Sequence, residues 1–197
     1  MMRFASRTAL GLAAALSLAG CLSFGSEPPE SLLTLTPERT ASAGQPTQGT
    51  GQTALTVVEP TAPQRLSVNR VPVQVDDANV AYLKDAMWVE KPTRLFRRLL
   101  SETIRASGNR VVIDGFDPTI ATGDQLRGSL VDFGYDARTS SVIVTFDAVR
   151  EGSGDVITTQ RFTSVVPGVA AEAGPVGDAL NEAANDVAQQ VADWVGG

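Results

Sequence analysis

Residues 125–166 read QLRGSLVDFGYDARTSSVIVTFDAVREGSGDVITTQRFTSVV. Three stretches, 125–135, 141–151 and 155–166, read as long strands, in which successive side chains point to opposite faces. In the second, Val142, Val144, Phe146 and Ala148 fall on one side. In the third, Val156, Thr158, Gln160, Phe162, Ser164 and Val166 oppose Ile157, Thr159, Arg161, Thr163 and Val165. The links at 136–140 and 152–154 are hairpin-sized, so this half of the chain is expected to be an antiparallel meander.

A sheet with one apolar face needs a cover, and two helices supply it. From Pro92 to about Ser107, Leu95, Phe96, Leu99, Leu100, Thr103 and Ile104 make one apolar face at the 3.6-residue period. Pro92 suits a first helical turn, and Gly108 suits the left-handed stop. The opposite face carries Arg94, Arg97, Arg98 and Arg105, with Lys91 just before the helix. This basic stripe reads either as a solvated face or as a contact for anionic headgroups or an acidic partner. The second helix runs from Gly177 to Val195, with Leu180, Ala184, Val187, Val191 and Trp194 along one face.

Upstream, 54–58, 70–75 and 80–83 read as short strands, with Pro72 marking an edge or a bulge, and 110–113 follows the first helix. Residues 31–36 alternate Leu33 and Leu35 against threonines, as an edge strand would. Residues 37–52, PERTASAGQPTQGTGQ, have alanine as their only apolar type. This segment is expected to be a disordered loop, the other reading being a binding loop. The order of elements gives an α+β fold: a single mainly antiparallel β-sheet with two amphipathic helices packed on one face.

The N-terminus is a targeting segment. Arg3 and Arg7 precede an apolar run from Ala9 to Ala19, and Leu18-Ala-Gly-Cys21 closes it. The run is far shorter than the roughly 20 residues a spanning helix needs. Cys21 is the only cysteine, and a cut that leaves it first is the bacterial lipoprotein pattern, in which the thiol is alkylated by a diacylglyceryl group and the terminus carries further chains such as palmitate. Multiple acylation makes a stable anchor. The expected organisation is a signal peptide at 1–20, a lipidated tether at 21–30 and one domain at 31–197. Leu22, where an aspartate commonly retains enterobacterial lipoproteins in the inner membrane, points to the outer membrane facing the periplasm.

Without Arg3 and Arg7 the 16 basic residues fall to 14 against 22 acidic ones, a net charge of −8. Such a chain is not expected to bind nucleic acid, which needs a basic face. The sequence has no histidine, so the usual neutral-pH base, the commonest zinc ligand and the histidine-based nucleophile systems are missing. No metal or cofactor is expected beyond the lipid on Cys21. No dinucleotide, Walker A or EF-hand spacing occurs, and Gly123-Asp124 and the 151–155 stretch read as turns. Carboxylate-only hydrolysis stays open, but Asp132, Asp147 and Glu151 show no paired partner, so no enzyme activity is expected.

Several short pieces in order carry a family resemblance. Asn69-Arg70 opens a valine-rich strand, followed by Val80-Ala-Tyr-Leu-Lys-Asp-Ala-Met-Trp-Val-Glu-Lys-Pro92 and the helix Thr93-Arg-Leu-Phe-Arg-Arg-Leu-Leu100. Leu130-Val-Asp-Phe133 then leads the hairpin, and Gln160-Arg-Phe162 sits on the final strand. From Asn69 to Val166 the chain resembles the ABC-type transport auxiliary lipoproteins, periplasmic components that accompany MCE-type lipid transporters. The resemblance implies an outer-membrane-tethered partner of an inner-membrane ABC permease and ATPase, and of an MCE-domain protein that forms a hydrophobic conduit. It also implies homo-oligomerisation, since some relatives assemble as rings. Tyr82, Trp88 and Phe133 carry part of the match and read as core or as contact residues, Trp88 being the candidate lipid or partner contact beside Arg94, Arg97 and Arg98. The competing readings are an outer-membrane assembly lipoprotein that binds a β-barrel and a carboxylate-only hydrolase of cell-wall glycan.

Overall fold

The structure, a computed structural model, describes residues 31–44, 46–108, 110–115, 117, 119–120, 122–152 and 156–196. The expected signal peptide at 1–20, Cys21 and the expected tether at 21–30 lie outside the described residues. In chain order the elements are β1 (Leu55–Val57), β2 (Arg70–Gln74), β3 (Val80–Met87), α1 (Pro92–Ala106), β4 (Val112–Asp114), β5 (Asp124–Asp136), β6 (Ser141–Glu151), β7 (Ile157–Pro167) and α2 (Ala173–Gly196).

The long strand β5 is the spine of one mixed sheet. On one side β6 pairs with it antiparallel from Gln125↔Glu151 to Asp136↔Ser141, with a register shift between Leu130 and Asp132. Outside β6 lies β7, antiparallel from Ser141↔Pro167 to Glu151↔Ile157. The other side of β5 is shared. β1 pairs parallel to its start through Leu55↔Asp124, and β2 pairs parallel to its end through Val73↔Tyr135. Between them Thr61 donates its N–H to Gly128 O at 2.9 Å and accepts from Leu130 N at 2.8 Å. Residues 55–74 thus run along β5 as one interrupted strand. Pro60 and Pro63 lack the N–H that continuous pairing would need. β4 lies parallel outside β1, and β3 lies antiparallel outside β2. The long pairings are antiparallel as expected; the short ones on the shared side of β5 are mostly parallel, which the sequence did not reveal.

Both helices cover the same face. α1 starts at Pro92 without a side-chain cap, because proline at the first position removes one of the donors that would need one. It ends before Gly108, whose φ of +72° is the left-handed stop. Leu95, Phe96, Leu99, Leu100 and Ile104 from α1, and Val176, Leu180, Val187 and Val191 from α2, bury against Leu126, Leu130, Phe133, Val142, Val144 and Phe146 of the sheet. α2 begins at Ala173, four residues before the expected start, because Gly174 and Pro175 are tolerated in a first turn. β3 runs on to Met87, past the expected end at Leu83. Its inward residues are Leu83 and Ala86, followed just past its end by the buried Trp88, and Asp85 takes a φ of 58°. The pairing shifts register opposite this segment, which breaks the period-two pattern from which the strand was read.

The 31–52 region departs most from its sequence reading. Instead of a strand, 31–36 makes a single parallel bridge, Leu33↔Trp88, with Leu33 N–H donating to Met87 O at 2.7 Å and Leu33 O accepting from Val89 N at 2.9 Å. The chain then straps across the helices. Thr36 N donates to Asn181 Oδ1 at 2.8 Å, Glu38 N to Asn185 Oδ1 at 2.9 Å and Ala41 N to Glu102 Oε1 at 2.8 Å. Asn185 Nδ2 returns a bond to Thr36 O at 2.9 Å. Leu33 sits against α2 so closely that a Cβ on Gly177 would stand 2.6 Å from its Cδ2. The segment expected to be disordered is therefore held in its first part by side-chain amides and a carboxylate that composition does not register.

Candidate functional site

The basic stripe of α1 is already matched by acids from other elements. Arg94 Nε lies 3.6 Å from Glu59 Oε2, Arg97 Nη1 lies 2.5 Å from Asp114 Oδ1, and Arg98 pairs with Glu90. Arg105 Nη1 lies 2.7 Å from Glu102 Oε2 on the helix itself. Asp114 also accepts from Ser101 Oγ at 2.8 Å, and Glu59 from Thr93 Oγ1 at 2.8 Å. The stripe is thus a set of neutral pairs at the rim of the sheet, and its local field is much weaker than the sequence implied. Converting Arg94 and Arg98 to glutamine is expected to leave cosedimentation with anionic vesicles in low salt unchanged; a several-fold loss of binding would restore the stripe as a headgroup contact.

Trp88 is a correction of the same kind. It is 1 % exposed and its ring stands 5.5 Å from that of Phe133. The extension of β3 turns it inward, so it packs the core and offers no surface to lipid or partner. Its indole N–H has no hydrogen-bond partner among the described residues. Phe133 is likewise core, and Tyr82 is half-buried with the Arg70 guanidinium 4.6 Å from its ring centre.

Among the described residues, the surface left uncovered is the opposite face of β5, β6 and β7. There Asp147 and Arg161, opposed in register, form a two-armed pair at 2.6 Å and 2.6 Å. Arg161 holds the Asp147 carboxyl below the usual carboxylate range, mainly by these hydrogen bonds. Thr145 and Thr163 meet at 3.3 Å, and Ile143 opposes a half-exposed Val165. Where this face meets β2 there is a groove of about 320 Å³ lined by Pro72, Val80, Gly134 and Ile143. Only glycine fits its floor, since a Cβ at 134 would lie 2.5 Å from Pro72 O. Ion pairs also line it: Arg65 with Asp132 at 2.7 Å, and Arg138 with Asp136 at 2.6 Å and Asp77 at 2.5 Å. Arg138 holds the Asp136 carboxyl low by hydrogen bonding.

At the start of β5, Asp124, expected to be a turn residue, is instead the centre of a buried cluster. Its Oδ2 accepts from Arg110 Nη2 at 2.8 Å and Arg150 Nη2 at 2.9 Å. Arg110 also donates to Thr53 O through Nε at 3.2 Å and Nη2 at 3.0 Å. No sequence signal pointed here, because the three charged residues are brought together by the sheet. Among the described residues, every carboxylate with a resolved shift (Asp76, Asp117, Asp124, Asp136 and Asp147) is displaced downward, toward the charged form. A carboxylate acid catalyst needs the opposite displacement. Among the described residues no three His, Cys, Asp or Glu side chains gather to hold a metal, and no helix is long and apolar enough to cross a membrane.

Comparison with known proteins bears on the whole arrangement. No curated protein matches the chain. Among solved structures, protein XCC0632 from Xanthomonas campestris is 17 % identical, with 84 % of this chain and 95 % of that one aligned at a TM-score of 0.65. A second solved structure, of an uncharacterized protein, is 12 % identical over 84 % of this chain and 99 % of its own, with a TM-score of 0.63. A chain of the PelC dodecamer from Paraburkholderia phytofirmans is 12 % identical over 73 % of this chain and 91 % of its own, at 0.40. The first two likenesses concern the fold. The model of one protein family, described as the ABC-type transport auxiliary lipoprotein component, matches residues 33–192, from the bridge at Leu33 to the last turn of α2. The chain belongs to the ABC-type transport auxiliary lipoprotein component family.

Proposed function

We propose that this chain is a lipid-anchored, periplasm-facing accessory component of an ABC/MCE-type intermembrane lipid transport system. In this reading it works by protein contacts and carries out no catalysis. The observation that carries the reading is the family match over residues 33–192, joined to a lipobox that ends at Cys21. Anchoring is assigned to the outer membrane on the residue after the cysteine, Leu22. ATP is hydrolysed by the partner ATPase, and an MCE-domain protein provides the path for lipid. The surface offered to partners is the open sheet face with its groove, together with β7, which pairs only with β6 among the described residues. An unpaired strand edge can accept a strand from another chain, and homo-oligomerisation is part of the reading.

The test is a pull-down of the tagged mature lipoprotein from gently solubilised membranes, with proteins and lipids identified by mass spectrometry. Recovery of an MCE-domain protein with its permease and ATPase is expected. Recovery of a single outer-membrane barrel, or of nothing above background, would overturn the transport role.

A further inference from the structure

Leu33 and Trp88 point inward from their bridge, so their neighbours Leu32, Met87 and Val89 point outward. These three are 53 %, 37 % and 48 % exposed. They form an apolar patch on the β3 edge of the sheet, to which Leu32, the second described residue, is brought by the Leu33↔Trp88 bridge. Only ten residues, 22–31, separate Leu32 from Cys21. Ten residues reach at most about 35 Å. The patch is therefore the part of the domain kept closest to the anchor. Its rim carries two cations: Lys91 is exposed, and Arg70, which pairs in register with Met87, lies over Tyr82, while Glu90 between Val89 and Lys91 is taken up by Arg98. Neither Lys91 nor Arg70 makes an ion pair among the described residues, unlike Arg94, Arg97 and Arg98.

We propose that Leu32, Met87 and Val89 rest in the headgroup region of the anchoring membrane, with Lys91 and Arg70 against its anionic headgroups. The inference rests on the lipid-anchored reading of Cys21. Apolar residues flanked by cations are the composition of a surface that lies in a membrane interface. The sheet then stands with its β3 edge toward the lipid. β7, four strand spacings or about 19 Å away, faces the aqueous space.

The experiment uses the full chain, expressed and processed in cells and reconstituted into vesicles of phosphatidylethanolamine and phosphatidylglycerol. With Cys21 acylated, Val89→Cys and Thr159→Cys each provide one free thiol, on the β3 side and on β7, for an environment-sensitive dye. Mass spectrometry of the N-terminal peptide reports acylation separately. The expected result is blue-shifted emission at 89 that is lost with brominated lipid, and unshifted, unquenched emission at 159. An acylated, vesicle-bound protein whose label at 89 stays aqueous overturns the patch and leaves the anchor standing. A blue shift at 89 that brominated lipid does not quench places the residue against protein and also overturns it, as does equal quenching at both sites. An unacylated Cys21 overturns the anchor, and the patch with it.

Discussion

Phe96→Ala is expected to destabilise the domain by about 3–5 kcal/mol, the usual cost of emptying a buried phenylalanine site. Phe96 is fully buried on α1, and its ring centre lies 6.3 Å from Phe133 on β5 and 5.3 Å from Phe146 on β6, both edge-on. Trp88 joins the same cluster through Phe133 at 5.5 Å. One side chain therefore seats the first helix on the centre of the sheet. In a domain whose total stability is about 5–15 kcal/mol, the loss consumes a large share. The melting temperature should fall by roughly 10 °C. Urea unfolding should show a lower midpoint at unchanged slope, with Phe96→Leu costing much less because it keeps most of the volume. A cost below about 1 kcal/mol would mean that α1 is not held by this ring.

Asp124→Asn should have the second largest effect, and it should depend on pH. Burial works against ionisation of this carboxyl and is the largest single influence, but the hydrogen bonds and charges of Arg110 and Arg150 outweigh it, so the folded-state value lies below the usual 3.8. A group depressed on folding stabilises the native state fully above its unfolded pKa of about 4, and that contribution fades as pH falls through the folded value. Asparagine keeps the shape but leaves two guanidinium groups facing each other without a counter-charge. The cost at neutral pH should be about 3 kcal/mol, the low end for a broken buried pair, since the Arg150 side chain remains 26 % exposed. The difference from the parent should shrink as pH falls below 4, because the unfolded parent then takes up a proton at Asp124 that the folded parent binds only at its lower value. A difference constant from pH 7 to pH 2 would show that the carboxylate charge is not what the cluster uses.

The parts of the fold that were legible in the sequence are those whose signal is local. α1 was read from Pro92 to about Ser107 and runs from Pro92 to Ala106, and β6 has the expected bounds, because capping residues and side-chain period act over a few residues. What stayed hidden depends on partners far along the chain. The parallel placing of β1 and β2 on β5 leaves no mark in either short strand. The strap over α2 relies on bonds between residues 145 and 147 positions apart, to Asn181 and Asn185. The arginine stripe looked free because Glu59, Glu90 and Asp114 lie on other segments. The open sheet face was implied by the placing of both helices on one side, but its groove depends on how closely Pro72 approaches Gly134.

The shared side of β5 constrains when the protein can fold. β1 must find Asp124 and its neighbours, 69 positions downstream, and β2 must find Tyr135, 62 positions beyond Val73. Until the chain has emerged through about residue 136, neither strand has the edge it belongs to, and α1 has no central β-surface to cover. Contacts this distant form late and slowly. On the lipid-anchored reading, a polypeptide built this way would stay loose while its leading end is threaded across a membrane. Its architecture defers collapse until the second half arrives, which on that reading keeps the precursor open to export and to the enzymes that would acylate Cys21.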